Sequence, residues 1–446
     1  MKKIYFWSIL ILSMMVLLPQ QAGAQSDVSV WDGFAESWTQ GDGTENNPYL
    51  IENARQLAYI AEMVNAGVTH YDSTYFKLTT DIRIDSLFQW QPIGSDGSHS
   101  FRGNFDGGCH VITLYLFTNS NYVGLFGYIN GSSICNLNLH GKIKSIGYNS
   151  NAYIGMIGYI VSSCVYNCIN YCNMITNDYI YSSYTTKVGG IGGDILYSTI
   201  TNCSNFGSII DQRHSYSCGG ICGSGLGSVI ARCYNKGNIA AQCTYLGGII
   251  GYVGSSYYGS ISNYDTTTIL NCYNLGNHIS YNQYSIMGGI CGSAYRARLF
   301  IINNYNSGIL NGGESRYGIS PYSDYITNCF YLNTCGQNNS NGGGIEKTEA
   351  QMKSPSFPVI LNSDSVVYVM DTLNINQGYP IFANEIYVVT EDADNITFNS
   401  ATLNGIYSGN ADIKGFRYKA ETDSAYNTVY CSLSEPYSFS LSGLSA

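Results

Sequence analysis

A four-residue box of Gly, an apolar residue, any residue and Gly recurs six times along the chain. The copies are Gly124-Leu125-Phe126-Gly127, Gly155-Met156-Ile157-Gly158, Gly190-Ile191-Gly192-Gly193, Gly220-Ile221-Cys222-Gly223, Gly248-Ile249-Ile250-Gly251 and Gly289-Ile290-Cys291-Gly292. They are spaced by 31, 35, 30, 28 and 41 residues. A period of that size means one small unit copied and stacked, so the fold question reduces to what a single unit does. Seven residues past each of the first four boxes comes Ile134, Val165, Ile200 or Ile230, opening a second box such as ITNCSNFGSI. The fifth and sixth units reach it only at Ile269 and Ile301, after insertions such as SSYYGSISNYD.

Aligning the units gives columns. One reads Leu137, Cys168, Cys203, Cys233, Cys272, Asn304 and Cys329; a second reads Asn170, Asn205, Asn235, Asn274 and Asn306. A third reads Gly141, Cys172, Gly207, Gly237, Gly276 and Gly308, and the next apolar column is Ile143, Met174, Ile209, Ile239 and Leu310. Apolar residues alternate within short runs bounded by Gly and Asn, which is a strand signal with no helical period. Each unit is therefore expected to be one coil of short strands, stacked on the next at ~4.8 Å so that like residues lie over like. The fold class read here is all-β: a right-handed parallel β-solenoid with a short N-terminal capping helix, followed by a partial β-sandwich.

The ends differ from the repeats. In YLIENARQLAYIAEMVNAG (49–67), Leu57, Ile60, Ala61 and Val64 share a face between Asn53 and Gly67, the pattern of a capped amphipathic helix. IEKTEAQMKSPSFPVILN (345–362) reads as a helical pair broken at Pro355. From Ile386 longer alternating runs suggest antiparallel sheet. The expected organisation is a signal peptide over 1–24, a cap and first coils over 25–120, repeats over 121–345, a terminal cap over 346–384 and a sandwich module over 385–446. That last segment is short for a seven-stranded sandwich, so the chain is expected to be a fragment.

Lys2, Lys3, the apolar run Ile4–Leu18 and Ala22-Gly23-Ala24 follow the pattern of a cleaved export signal. Without those two lysines the net charge of −10 becomes −12, which argues against nucleic-acid partners. Nothing later reads as a membrane span. Fifteen cysteines in an exported chain would ordinarily mean disulfides, but here Cys168, Cys203, Cys233 and Cys272 fall in one inward column and read as unbridged core thiols. Paired CxxC zinc spacing is absent.

The ordered run GDGTENNPYLIENARQLAYIAEMVNAG, YFKLTTDI, FRGNFDGGCHVI, YVGLFGYI resembles the GLUG-repeat surface proteins of Bacteroidetes and some Gram-positive bacteria, over residues 41–382. The segment from Ile386 resembles a fibronectin type III module. The resemblance implies a β-solenoid at the cell surface or secreted, sometimes joined to peptidases that cleave immunoglobulin A. Such a peptidase would need His-Glu-x-x-His, and none of the six histidines is followed by Glu.

Two places invite chemistry. Asp106, Cys109 and His110 lie close together in FRGNFDGGCHVI, but successive side chains of an extended segment face opposite ways, so a turn is the expected role. Solenoid lyases and hydrolases carry clustered acids. Here only Asp178 and Asp211 fall near each other in the alignment, and no catalytic residue, metal or cofactor is assigned. The expected function is an adhesive or ligand-binding scaffold, monomeric, for a glycan or a host or neighbour-cell protein. The candidate contacts are Tyr179, Tyr181, Tyr184, Tyr257, Tyr258 and Tyr295, on outward loops.

Overall fold

The computed structural model describes residues 28–146, 151–176, 185–254, 265–363, 365–383, 387–397, 399–408, 415–418, 427–430 and 437–442. Val28–Ser356 forms one compact unit, and Phe357–Ala446 falls in a second. The division lies inside the segment 346–384.

The first unit is a parallel β-solenoid. One coil shows the plan: Tyr153–Ile154, a tight corner, Ile157–Val161, then Cys164–Tyr166, then Ile169–Asn170 and Asn173–Thr176. Each piece pairs in parallel with its counterpart one coil on, giving rows that run along the stack in sheets of seven, six, ten and sixteen strands. In the first row Val123, Ile154, Val188, Cys218, Leu246 and Met287 are in register. In the third row Ile134, Val165, Ile200, Ile230, Ile269 and Ile301 are in register. All of these are fully buried. The sequence boxes are thus the inward columns of a continuous core, each aliphatic chain contributing roughly 1.5–3 kcal/mol by leaving water.

The Gly boxes form the corner between the first two rows, where the chain folds back on itself. A Cβ at Gly193 would lie 2.5 Å from both Gly158 O and Ile154 N, so no larger residue fits there. The corner after the third row uses Asn in most coils: Asn136, Asn167, Asn202, Asn271, Asn303 and Asn328 all have φ between +50° and +54°, and Arg232 takes the same place at +53°. Asn tolerates this left-handed region better than other side chains.

Past that corner lies the buried Asn column. Asn170 Nδ2 donates to Asn205 Oδ1 at 2.7 Å, and Asn205 to Asn235, Asn235 to Asn274 and Asn274 to Asn306 at 2.8 Å each. Each Nδ2 also donates to the carbonyl two residues on, as from Asn235 to Gly237 O at 2.9 Å. The cysteine column is buried beside it, each Sγ near the carbonyl two residues back, for example Cys203 to Thr201 O at 3.2 Å. None of the fourteen described cysteines is in a disulfide. Burial pushes the Cys168, Cys203 and Cys233 thiols well up, and raises Cys291 to about 12 and Cys329 to about 11.

The column read as Ile143, Met174, Ile209, Ile239 and Leu310 contains one further member, His278, between Ile239 and Leu310. It is fully buried and neither ring nitrogen has a hydrogen-bond partner.

At the start, helix α1 (Ala54–Asn65) is capped by Asn53, whose side chain accepts from Gln56 N, and it buries Leu57, Ile60, Ala61 and Val64. Two short helices follow the repeats, α2 (Glu349–Met352) and α3 (Ser356–Leu361). In the second unit, Tyr387–Asp394, Ser400–Ser408 and Tyr437–Ser442 form an antiparallel sheet, and Gly415–Tyr418 pairs with Asn427–Tyr430. Leu403 is buried there, while Phe398 lies outside the described residues.

Candidate ligand-binding site

The cluster at 106–110 resolves into separate structural contacts. The stretch is a turn, as expected, and forms a solenoid corner between parallel rows: Phe105 pairs with Phe76 and Ile134, whereas Val111 pairs with Asn138. Cys109 carries φ +60° in that corner. Asp106 Oδ1 accepts from Gly108 N at 2.9 Å and from Asn136 Nδ2 at 2.8 Å. His110 Nδ1 lies 3.1 Å from Asp81 Oδ1. The three side chains do not converge on one point.

The acid pair fares similarly. Asp178 lies outside the described residues. Asp211 is 1% exposed, and its Oδ1 accepts from Thr176 Oγ1 and Ser215 Oγ, both at 2.7 Å. Burial raises its pKa despite these bonds. A carboxylate so enclosed cannot reach a polysaccharide. Among the described residues no three His, Cys, Asp or Glu side chains are grouped to hold a metal.

The outer side of the Gly corner is lined by tyrosines that the repeat alignment did not single out. Tyr122 and Tyr153 from the first row stack at 5.4 Å, Tyr128 and Tyr159 from the second row at 5.0 Å, and Tyr153 meets Tyr159 at 4.7 Å. One coil on, Lys187 and Asp194 take the facing positions, with Nζ and Oδ2 2.5 Å apart and both side chains almost fully buried. Ser224 Oγ donates to Asp194 Oδ1 at 2.8 Å. Beyond them the aromatic lining resumes with Tyr216, Tyr245 and Tyr252, whose rings lie 4.9–5.3 Å apart. Burial raises Tyr245 and Tyr252, leaving both as neutral hydroxyls at any ordinary pH.

This lining leads into a pocket. Tyr322 is close enough to Tyr245, and Tyr295 and Arg296 to Tyr252, to act on their phenols electrostatically. The pocket encloses about 520 Å³, and its walls come from three segments: Ala294–Ala297, residues 320–326 and residues 341–343. That volume suits a small polar ligand. Tyr295 and Tyr322 are 59% and 57% exposed, and the Arg296 guanidinium lies 5.2 Å from the Tyr295 ring centroid. Asp324 ties the walls together, its Oδ2 accepting from Leu299 N at 2.7 Å.

Of the six tyrosines expected to bind, Tyr295 alone falls among the described residues, and it lines this pocket. Tyr179, Tyr181, Tyr184, Tyr257 and Tyr258 lie outside them. Arg296 lies beside Tyr295 in the same outward loop, whereas Tyr322 escaped the sequence reading because the pocket joins parts of the chain about two dozen residues apart, across a coil boundary.

No protein-family model matches the chain. A 125-residue stretch is 34% identical to a protein of Evansella cellulosilytica named "Putative Gly-rich membrane protein"; it is 26% of this chain and spans 13% of that protein's length. The crystal structure of a "putative immunoglobulin A1 protease" from Bacteroides ovatus superposes with a TM-score of 0.51 at 20% identity, over 78% of this chain and 95% of that one. What the two share is the solenoid. A further structure named "IgA1 Protease" gives a TM-score of 0.46 at 12% identity, covering 86% of this chain and 35% of that one. Among the described residues no helix is long and apolar enough to cross a membrane.

Proposed function

We propose that this chain is an exported or surface-displayed β-solenoid that binds a glycan through the Tyr295–Tyr322 pocket and has no catalysis of its own. The observation that carries the reading is the pairing of two half-exposed tyrosine rings with Arg296, Asp324 and Asn341 around about 520 Å³. Flat rings offer a face to a sugar, and the charged and amide groups offer bonds to its hydroxyls. A hydrolase or lyase reading needs a pair of acids placed about one bond; Asp324 is the single acid lining the pocket and its Oδ2 accepts from Leu299 N, while Asp194 and Asp211 are buried in fixed contacts. Export is inferred from the leader-like sequence at 1–24. The Bacteroides ovatus neighbour named for immunoglobulin A1 cleavage lends support to a surface or secreted setting, while His-Glu-x-x-His is absent from this sequence.

The test is a glycan array probed with the chain lacking residues 1–24, alongside Tyr295→Ala and Tyr322→Ala. Glycan binding lost in both variants supports the reading. Binding only to host protein, or glycan binding indifferent to both substitutions, overturns it.

A further inference from the structure

We infer that the sugar taken by this pocket bears a carboxylate, a residue of the uronic- or ulosonic-acid class, held by Arg296. The inference rests on the glycan reading above and narrows it.

Arg296 stands apart from most other basic side chains. Arg55 pairs with Asp32 and Glu36, Arg83 with Asp85 and Arg102 with Asp72, while Arg213 and Arg316 donate to backbone carbonyls. Among the described residues Arg296 makes no ion pair and no hydrogen bond; its neighbour is the Tyr295 ring. In a chain with 30 acidic and 20 basic residues, a guanidinium that lines a pocket and pairs with no acid is unusual. Its planar fork matches a carboxylate bidentately, and an adjacent aromatic face leaves that fork free to do so.

Arg296 has φ +55° and occupies the corner that ends the second row, where other coils place Gly131 and Gly227 at φ +69° and +61° and Ser162 and Tyr197 at +46° and +48°, so glycine is accepted there. Asp324 fixes the orientation. Its Oδ2 is held by Leu299 N, and its charge repels a ligand carboxylate, so hydroxyls face Asp324 and the acid group faces Arg296.

The experiment titrates the chain lacking residues 1–24 with methyl β-D-glucuronide and methyl β-D-glucoside, which share a ring and differ at the carboxylate. The glucuronide is expected to bind about tenfold or more tighter, with a preference that shrinks as salt rises. Arg296→Gln should erase the preference. Arg296→Gly should erase it too while melting at the same temperature or higher, since glycine relaxes the corner, so loss of binding there is not misfolding. Equal affinity for the two sugars, or a preference that survives both variants, overturns the inference. If neither sugar binds but an array glycan still depends on Tyr295, the acidic class is wrong and the glycan reading stands. If no glycan depends on Tyr295, both fall.

Discussion

Asn205 donates its side-chain amide to Asn235 across 2.8 Å, one full coil away, and both are completely buried. Neighbouring coils repeat that bond in the same direction from Asn170 to Asn306. Each amide thereby satisfies both its neighbour and its own corner. Asn235→Ala should therefore leave a buried donor on Asn205 and a buried acceptor on Asn274, costing about 2–5 kcal/mol. Chemical denaturation would measure it, with the exposed Gln212→Ala as a control within about 0.5 kcal/mol of the parent.

His278 makes the solenoid sensitive to acid. Burial without a partner pushes its pKa down to about 3. An unfolded chain takes up the proton near the ordinary value of about 6.5, so between those two values the unfolded state binds more protons and stability falls as pH falls. His278→Leu, matching Leu310 one coil on, should flatten that slope and raise stability at pH 7. Melting curves from pH 7 to pH 4 would decide, and parallel slopes for the two proteins would defeat the prediction.

The Lys187–Asp194 pair is enclosed, with side chains 5% and 4% exposed. Removing one charge strands the other. Lys187→Met should cost about 3–5 kcal/mol, and the double change Lys187→Met with Asp194→Leu should recover most of it. A double-mutant cycle by denaturant titration reads the coupling directly.

Thiol chemistry separates the cysteines by position. In the native protein at pH 8, Cys164 is exposed and should react readily with an alkylating reagent, while the buried Cys168, Cys203, Cys233 and Cys272 should not. After denaturation without reductant, most of the fifteen should react. Peptide mapping by mass spectrometry gives both answers, and a mass deficit of paired hydrogens at the column would show bridging instead.

The solenoid was legible because its constraints repeat: a Gly that cannot carry a Cβ recurs in all six boxes, and an Asn that bonds to its like recurs in the five coils from Asn170 to Asn306. The capping helix was legible for a local reason, since Asn53 and the spacing of Leu57, Ile60, Ala61 and Val64 need no distant partner. His278 was missed because a polar residue breaks an apolar column and the eye moves to Ile279, which in fact faces outward. The tyrosine lining was missed for the opposite reason. Tyr153 and Tyr159 look like ordinary strand residues until the Gly corner folds their strands together. Asp106 and His110 looked like a site because they are close in sequence, yet their bonds lead to Asn136 and Asp81, on different elements.

The asparagine column also bears on how such a molecule changes over time. Its amides all point from one coil to the next, and the column stops where Tyr331 takes the place after Asn306. Inserting a whole coil lengthens this chain of amides by one link and disturbs no other contact, whereas inserting part of a coil breaks it. Length can therefore grow or shrink by gene duplication in whole units, and the pocket at Tyr295, near the last repeats, would be carried outward or inward with each one, like a fitting on an extendable rod.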